Sequence, residues 1–333
     1  GVFIKVWSPE FLPCTWREDR LDAMRVCAYL DIPFVTLDLE KEYKKEVVDY
    51  MIAEYKAGKT PNPDVMCNKE IKFGAFYDFA RKQGADYIAT GHYARSEMNA
   101  GKILYDFKKN EQFHLYEARD NAKDQSYFLW NIKQEQLKHI IFPIGNHVKK
   151  EVRDIAKRFG LPNAVKKDSQ GLCFIGKVDM RDFLKHFIKE KKGNVLDQKG
   201  NKIGSHDGAV FLTIGQRHGF TVENSKTAST AHYVISKDIR KNTVSVSPLK
   251  VEDIEELGKT TCKLSKTNWI NLPDEGKGYS IRFRYHQKPL IGTLQKRSEY
   301  WQITLTKPFT GISSGQSAVI YDAGEMLGGG VIV

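Results

Sequence analysis

The sequence predicts an α/β protein in which a parallel sheet is followed by a small α+β domain and a β-rich C-terminal domain. Three observations lead to this prediction. Short apolar segments alternate with amphipathic helical segments up to Thr90, as in parallel sheets that are covered by helices. Glycine-rich turns separate short strands from about residue 178. Past residue 248, short strands recur at regular spacing, which is typical of a β-barrel or a sandwich.

The N-terminal elements follow from apolar periodicity and from turn residues. We expect strands over 2–6, 34–37 and 87–90, and helices over 16–30 and 42–55. Pro33 ends the first helix and Gly58 ends the second. Gly91 and His92 follow the third strand directly. Because ligands of open parallel sheets bind beyond the carboxyl ends of the strands, these two residues occupy a place where a ligand is expected.

The remaining elements complete three predicted domains, over 1–176, 177–247 and 248–333. A β-hairpin is expected from 103–105 and 113–117, and a helix is expected to begin at Asp124 as its N-cap. Further helices are predicted over 149–159, closed by Gly160, and over 180–189. The C-terminal strands are predicted over 259–264, 279–285, 292–295, 300–305, 317–321 and 329–333.

The charge of the chain indicates a polyanionic partner. The 333 residues include 52 Lys and Arg against 41 Asp and Glu, a net charge of +11, with a sequence pI of about 9.2. This balance suits nucleic acid, whose phosphates are neutralised by basic side chains. An alternative is a merely basic globular protein. The sequence has no run of 18 apolar residues, so no membrane span and no membrane partner are predicted.

A stretch over 60–73 places an acid and a thiol at the start of a helix. Pro61 and Pro63 favour a stiff extended loop, and Asp64 and Cys67 follow it before a helical pattern begins near Asn68. A helix N-terminus favours the thiolate form of a cysteine, which is the nucleophilic form. The alternative is a well-made turn with a half-buried structural cysteine.

The five cysteines, at positions 14, 27, 67, 173 and 262, do not form a disulfide or zinc pattern. A reducing, cytoplasmic location is therefore expected. Cys67 and Cys173 both lie in predicted loops, each shortly after an acidic residue. If the loops converge, the two thiols could form a persulfide site with its partner, a transient disulfide, or two ligands of a metal cluster.

Two further patterns concern phosphate binding. Arg282, Arg284 and His286 alternate along a predicted strand, so they would share one strand face as a basic stripe. A solvated strand face is the alternative. The glycines over 328–330 precede no helix and are not a nucleotide loop, and the sequence has no Walker-type phosphate loop.

Six short motifs occur in a fixed order along the chain. They are TPNPDVMCN over 60–68, ATGHY over 89–93, KDQSYFL over 123–129, DSQGLCFIG over 168–176, GQRHG over 215–219 and SGQSA over 314–318. Together they resemble the tRNA-specific 2-thiouridylases, ATP-dependent enzymes that thiolate the wobble uridine of the tRNA anticodon. The similarity covers nearly the whole chain.

The resemblance implies an adenine-nucleotide α-hydrolase-like (PP-loop) domain, a central tRNA-binding domain and a C-terminal β-barrel. It implies that Cys173 carries a persulfide, that Cys67 is the partner nucleophile and that Asp64 is an acid/base. Gly91 and Ile4 would line the adenine site. Residues implied to contact tRNA are Asn62, Pro63, Asp64, His92, Lys123, Asp124, Gln125, Arg284, Tyr285 and Gln316. No resident metal ligand is implied. Mg²⁺ is expected with ATP, and a cysteine desulfurase or relay protein would supply sulfur.

One departure from the family concerns the pyrophosphate loop, a Ser-Gly-Gly-x-Asp-Ser element after the first strand, which does not occur in this sequence. We expect this segment to lie upstream of Gly1. Two alternatives follow. The chain could be a tRNA-binding protein without catalysis, or Asp64, Cys67 and Cys173 could hold an iron–sulfur cluster for thiolation.

Overall fold

The structure is a computed structural model that describes residues 1–12, 16–98, 112–166, 173–176, 179–223, 231–250, 254 and 257–333. Cys14, Asp168 and the predicted strand over 103–105 lie outside the described residues.

The N-terminal part contains most of the described helices and two short parallel sheets. Its strands are β1 (Val2–Lys5), β2 (Val35–Asp38), β3 (Ile88–Ala89), β4 (Ala94–Met98), β5 (Phe113–Glu117) and β6 (Ile140–Ile141). Its helices are α1 (Trp16–Tyr29), α2 (Glu40–Tyr43), α3 (Tyr50–Lys56), α4 (Pro63–Met66), α5 (Tyr77–Lys82), α6 (Gln134–Leu137) and α7 (Lys149–Arg158). β1 pairs with β2, and β3 with β6, both in parallel. The parallel pairing that the alternation predicts is therefore present, in two separate pairs within the described residues.

Two π-helical segments join the helices that carry the N-terminal core. Lys44–Asp49 links α2 to α3, and Cys67–Phe76 links α4 to α5. At the start of α4 the Asn62 side chain accepts a hydrogen bond from the Val65 N–H at 3.2 Å, and Pro63 occupies the first helical position. The predicted stiff loop thus ends in a capped helix that directs Cys67 into the core, where it is fully buried.

The segment after Asp124 forms a helix as predicted, namely a 3-10 helix (Ser126–Leu129), but its N-cap residue is Gln125, so the assignment of Asp124 as the N-cap was wrong. The Asp124 carboxylate accepts hydrogen bonds from Ala118 N–H at 3.0 Å and from Ser126 N–H at 3.3 Å. Tyr127 lies in the 3-10 helix and its hydroxyl donates to main-chain carbonyls of the C-terminal domain. Contacts across the domain boundary therefore decide the conformation here.

The central part is a small mixed sheet with one short helix. Its helix, α8 (Met180–Lys185), is shorter than the predicted helix over 180–189, and a 3-10 turn lies at Ala209–Phe211. Its strands are β7 (Gly193–Leu196), β8 (Lys202–His206), β9 (Phe220–Val222), β10 (Tyr233–Asp238) and β11 (Thr243–Ser247). The strand order is β10-β11-β7-β8-β9. Phe183 and Leu184 of α8 and Phe211 pack into the same apolar core as Cys67. The central part thus shares a core with the helices of the N-terminal part.

The C-terminal strands close into a barrel. They are β12 (Lys259–Trp269), β13 (Gly278–Arg282), β14 (Leu290–Lys296), β15 (Trp301–Phe309), β16 (Ser317–Asp322) and β17 (Glu325–Ile332). The order β12-β15-β14-β13-β16-β17 returns to β12 through a β12–β17 pairing, which excludes the open sandwich alternative for these strands. β17 also pairs with β5, whose described antiparallel partner is β4. β4 and β5 therefore extend the barrel sheet, while the strand over 103–105 that was predicted to pair with β5 lies outside the described residues.

The glycines over 328–330 lie in β17, as expected for residues that form no nucleotide loop. A Cβ atom on Gly328 would lie 2.2 Å from the Asn268 carbonyl oxygen of β12, and one on Gly329 would lie 2.5 Å from the Ala318 carbonyl oxygen of β16. The absence of side chains therefore lets β17 approach both neighbours and close the barrel.

The predicted basic stripe over Arg282, Arg284 and His286 is wrong. β13 ends at Arg282, and His286 adopts a left-handed φ of 60° in the turn that follows. The Arg282 guanidinium contacts the carboxylates of Glu117 and Asp124, so it joins the barrel to the N-terminal part. Because the chain turns after β13, the three side chains do not share a strand face.

Candidate active site

A cavity of about 460 Å³ opens where the three parts of the chain meet. Its lining comes from the loop before α4, the 3-10 helix, the central part and the barrel. The lining residues are Pro61, Asn62, Pro63, Asp64, Phe128, Thr213, Arg284, Tyr285, Ser313 and Gln316. Six of these residues, namely Asn62, Pro63, Asp64, Arg284, Tyr285 and Gln316, were predicted from the motif resemblance.

Hydrogen bonds to main-chain carbonyls hold the loops of this cavity together. The Thr60 N–H donates to the Ser314 carbonyl at 3.0 Å, and the Gln316 side-chain amide donates to the Thr60 carbonyl at 2.9 Å. The Arg284 guanidinium donates to the Ile214 carbonyl at 3.3 Å. Gln316 is therefore occupied in fixing the 60–64 loop against the barrel, and Arg284 bridges the barrel to the central part.

The two thiols predicted to converge do so beside this cavity. Cys67 Sγ donates a hydrogen bond to Cys173 Sγ at a distance of 3.3 Å, although the two residues are 106 positions apart. Tyr43 fixes the Cys173 main chain by donating its hydroxyl to the Cys173 carbonyl at 2.7 Å. Both cysteines are free thiols, and the separation of their sulfurs allows direct sulfur exchange after a small movement.

Asp64 connects the cavity to the thiols. Its Oδ1 accepts a hydrogen bond from the Cys173 N–H at 3.1 Å, and its side chain also lines the cavity. Burial raises the pKa of the Asp64 carboxyl, while the Cys173 N–H and the Lys72 cation act in the opposite direction. A carboxyl whose pKa is raised toward neutrality is suited to proton transfer.

The two thiols differ in how readily they ionise. Burial, together with the neighbouring Cys173, raises the pKa of the Cys67 thiol well above its ordinary value. The hydrogen bond from Cys67 lowers the pKa of Cys173, against the opposing effect of burial, and the Lys72 ammonium lowers it further. Cys173 is therefore the sulfur of the pair that more easily becomes an anion.

Lys72 belongs to the site but was not predicted from the sequence. It lies five residues after Cys67, which on an α-helix of 3.6 residues per turn would place it roughly 140° away. The segment Cys67–Phe76 is π-helical, and i→i+5 hydrogen bonding brings such residues onto the same side. Periodicity alone could not have found Lys72, because a π-helix has no distinct sequence signal here.

Comparisons with known proteins agree with this arrangement. Family profiles described as "tRNA methyl transferase HUP domain", "tRNA methyl transferase PRC-barrel domain" and "Aminomethyltransferase beta-barrel domain" match residues 1–177, 181–248 and 259–332. The chain is 41% identical over 337 aligned positions to the tRNA-specific 2-thiouridylase MnmA of Streptococcus thermophilus, covering 100% of the chain and 87% of that relative. The Enterococcus faecalis and Lysinibacillus sphaericus proteins of the same name are each 40% identical over the whole chain and over 87% and 86% of their own lengths.

The chain belongs to the tRNA-specific 2-thiouridylase family.

Membership in the thiouridylase family confirms the predicted fold class. The chain contains an adenine-nucleotide α-hydrolase (HUP) domain, a central PRC-barrel domain and a C-terminal β-barrel. The HUP domain of a thiouridylase implies the use of ATP. The expectation that a pyrophosphate loop lies upstream of Gly1 stays a prediction.

Two residues predicted to contact tRNA lie inside this thiouridylase. His92 is 6% exposed, and its ring nitrogens face Thr90 Oγ1 at 2.9 Å, Asn68 Oδ1 at 3.1 Å and Lys72 Nζ at 3.1 Å. Asp124 is 4% exposed and contacts Arg282 at 3.2 Å. The polar atoms of both side chains are engaged by the protein in this structure, and their contact with tRNA stays a prediction.

The other predicted binding residues are distributed around the site. Lys123 is half-buried in the turn before the 3-10 helix, and the Gln125 side chain accepts a hydrogen bond from Tyr93 N–H at 3.0 Å. Gly91 is exposed beyond the carboxyl end of β3, and a Cβ atom there would meet nothing within 4 Å. Ile4 is half-buried in β1 and packs against the core that contains Cys67. These positions leave room at Gly91 for a ligand.

Two general features of the thiouridylase concern metals and membranes. Among the described residues, no group of three or more His, Cys, Asp or Glu side chains is arranged to hold a metal ion. Each described helix is too short or too polar to cross a membrane.

Proposed function

We propose that this chain replaces the C2 oxygen of the wobble uridine in a tRNA anticodon by sulfur. The observation that carries the proposal is the 3.3 Å approach of Cys67 Sγ to Cys173 Sγ next to a cleft shared by three domains. The net charge of +11 suits a tRNA partner. A target uridine in the anticodon loop is single-stranded and can leave its stack to enter the cleft.

The proposed chemistry uses the two sulfurs in different roles. ATP supplies the leaving group, since transfer of AMP to the uridine C2 oxygen releases pyrophosphate and makes that oxygen displaceable. The terminal sulfur of a persulfide on Cys173 then attacks C2, and AMP leaves with the oxygen. Attack of Cys67 on Cys173 Sγ breaks the bond to the transferred sulfur and forms a disulfide, which an external thiol must reduce. Alternatively, Cys67 first releases hydrosulfide, which attacks C2. Either route divides one difficult displacement into easier steps.

Asp64 is proposed as the acid/base of the reaction. It lines the cleft and accepts the Cys173 N–H, so it can reach a uridine bound there as well as the cysteine loop. Because burial raises the pKa of its carboxyl, it can hold a proton for release or uptake at a pH nearer to neutrality.

The substrates are assigned to different faces of the same site. Asn62 and Pro63 would surround the uridine, and Arg284, Tyr285 and Gln316 would face the anticodon from the barrel side of the cleft. Lys123 and Gln125 would contact the adjoining tRNA. Gly91 and Ile4 would border the adenine of ATP, with Mg²⁺ on its phosphates.

We assign the three domains to 1–176, 177–247 and 248–333. A cysteine desulfurase or relay protein would load Cys173, and we assign the protein to the cytoplasm.

Incubation of the chain with tRNA, ATP, Mg²⁺ and a persulfide donor tests the proposal. We expect 2-thiouridine in the digested tRNA, measured by mass spectrometry of nucleosides, and its loss when ATP is omitted. Binding of tRNA without thiouridine would instead support the alternative of a non-catalytic binding protein. Thiolation that requires iron, found together with iron and sulfide after anaerobic purification, would support the iron–sulfur alternative.

Arg284 provides a test of the tRNA cleft. Its guanidinium is exposed at the cleft, so Arg284→Met is expected to weaken tRNA binding about 3- to 10-fold and to reduce the slope of log affinity against log salt by about 1. Titration of labelled tRNA at several salt concentrations measures both quantities. Arg297→Met is the matched control, since Arg297 is exposed in the barrel outside the cleft. Equal effects of the two substitutions would place tRNA elsewhere.

A further inference from the structure

We propose that Lys72 is the cation that holds the Cys173 sulfur in its anionic form, and that buried His92 positions Lys72 for this role. The inference deepens the proposed function, on which its catalytic meaning rests. It adds two residues, Lys72 and His92, to the proposed reaction.

The position of Lys72 is the first step of the argument. Its Nζ lies 3.1 Å from His92 Nε2 and 5.5 Å from the centroid of the Phe174 ring, which is the residue after Cys173. A cation over an aromatic face is stabilised by the ring quadrupole. The ammonium is therefore held against the cysteine loop, with Cys67 on the same π-helical segment.

The state of His92 is the second step. Burial and the nearby Lys72 cation both lower the pKa of His92 well below its ordinary value, so its ring is neutral. Nε2 lies 3.1 Å from both Lys72 Nζ, which can only donate, and Asn68 Oδ1, which can only accept, so the two contacts compete for one tautomer. The proposal assigns the tautomer with its proton on Nδ1, which faces Thr90 Oγ1 at 2.9 Å, so that Nε2 accepts from Lys72. A neutral imidazole can thus orient the lysine without competing for an anion.

Charge balance is the third step. Among the residues that the structure describes, the titratable groups that face Cys173 are Cys67, Asp64, Lys72 and Tyr43. Burial raises the pKa of Tyr43, so its hydroxyl stays neutral and acts as a donor. One ammonium among these groups can compensate one full negative charge. Cys67 Sγ donates its hydrogen to Cys173 Sγ, and Lys72 Nζ lies over the ring of Phe174, the residue next to Cys173, so we assign the Cys173 sulfur as the anion that the ammonium compensates.

Alkylation of the chain by iodoacetamide tests this inference without tRNA or ATP. The rate at Cys173 is followed from pH 5 to 10 by mass spectrometry of the modified peptide, since only the thiolate reacts. Lys72→Met is expected to lower the rate at pH 7 about tenfold and to leave the rate at pH 10 unchanged. Lys72→Arg is expected to keep the wild-type profile.

The controls separate a charge effect from a structural one. Lys69→Met removes an exposed lysine of the same helical segment, which pairs with Glu70, and should leave the profile unchanged. His92→Phe keeps an aromatic ring but removes the acceptor for Lys72, and should lower the rate at pH 7 in the same direction as Lys72→Met.

Two results would overturn the inference. A profile of Lys72→Met identical to that of the wild type would show that the cation is not required. A rate lowered equally at every pH would show changed access to Cys173 instead of changed ionisation. Because this assay involves no sulfur transfer, its outcome is independent of whether the chain thiolates tRNA.

Discussion

Replacement of Cys173 by serine is expected to abolish thiolation of tRNA, with a loss on the order of 10³-fold or more. A serine hydroxyl cannot carry a persulfide, so no residue at this position can present the transferable sulfur. Binding of tRNA should change by less than about twofold, because Cys173 does not line the cleft that we assign to the anticodon. Thiouridine is measured by nucleoside mass spectrometry, and affinity is measured by titration of labelled tRNA.

Cys67→Ser should give the same loss for a different reason. With Cys67 absent, a persulfide can form on Cys173 but has no neighbouring thiol to release its sulfur. The transferable sulfur should therefore stay bonded to Cys173, as a persulfide when tRNA is absent or as a covalent adduct with the activated tRNA, and either species is detectable by mass spectrometry of the intact protein. Cys262→Ala is the control, since Cys262 is a buried thiol of the barrel core with no sulfur partner among the described cysteines. Full activity of either Cys67→Ser or Cys173→Ser would refute the assignment.

Arg282→Met is expected to lower the free energy of unfolding by about 3–5 kcal/mol. The Arg282 side chain is 18% exposed, and its guanidinium compensates Glu117 and Asp124, whose side chains are 26% and 5% exposed. Its removal leaves two partly desolvated carboxylates facing each other without a cation. Denaturant unfolding followed by circular dichroism measures the loss.

An exposed ion pair supplies the comparison for Arg282. Lys277 contacts Asp322 at 2.6 Å, but the two side chains are 48% and 36% exposed, so Lys277→Met should cost less than about 1 kcal/mol. Adding Glu117→Gln to Arg282→Met should restore part of the lost stability, because one of the two uncompensated charges is removed. Equal, small losses for Arg282→Met and Lys277→Met would contradict the structural role of the buried cluster.

The elements of this protein were predictable where local physics decides them. The helix predicted over 16–30 is α1 (Trp16–Tyr29), and the predicted C-terminal strands correspond to the strands of the barrel. The stiff loop before Cys67 followed from Pro61 and Pro63, and the capping by Asn62 completes it. Apolar periodicity and turn residues act over a few positions, so the chain itself carries this information.

Errors arose where contacts between domains override local preference. Asp124 resembled an N-cap, but it is held by Arg282 from the barrel and is buried. The alternating Arg282, Arg284 and His286 suggested one strand face, but the chain turns after β13. An ion pair with the barrel decided the position of Asp124, and the end of β13 at Arg282 decided that the three side chains do not share a strand face. Neither the ion pair nor the end of the strand is visible in the spacing of residues.

The prediction about Asp64 and Cys67 shows which information comes from the sequence and which comes from the tertiary structure. The sequence by itself determined that an acid and a thiol follow a rigid loop at the start of a helix, because proline and capping residues act locally. Only the tertiary structure decided that Cys173, 106 positions away, lies 3.3 Å from Cys67, and that Lys72 faces the pair from a π-helical segment. The reason is physical: the ionisation of a buried thiol depends on the charges and donors packed around it, and these come from distant parts of the chain.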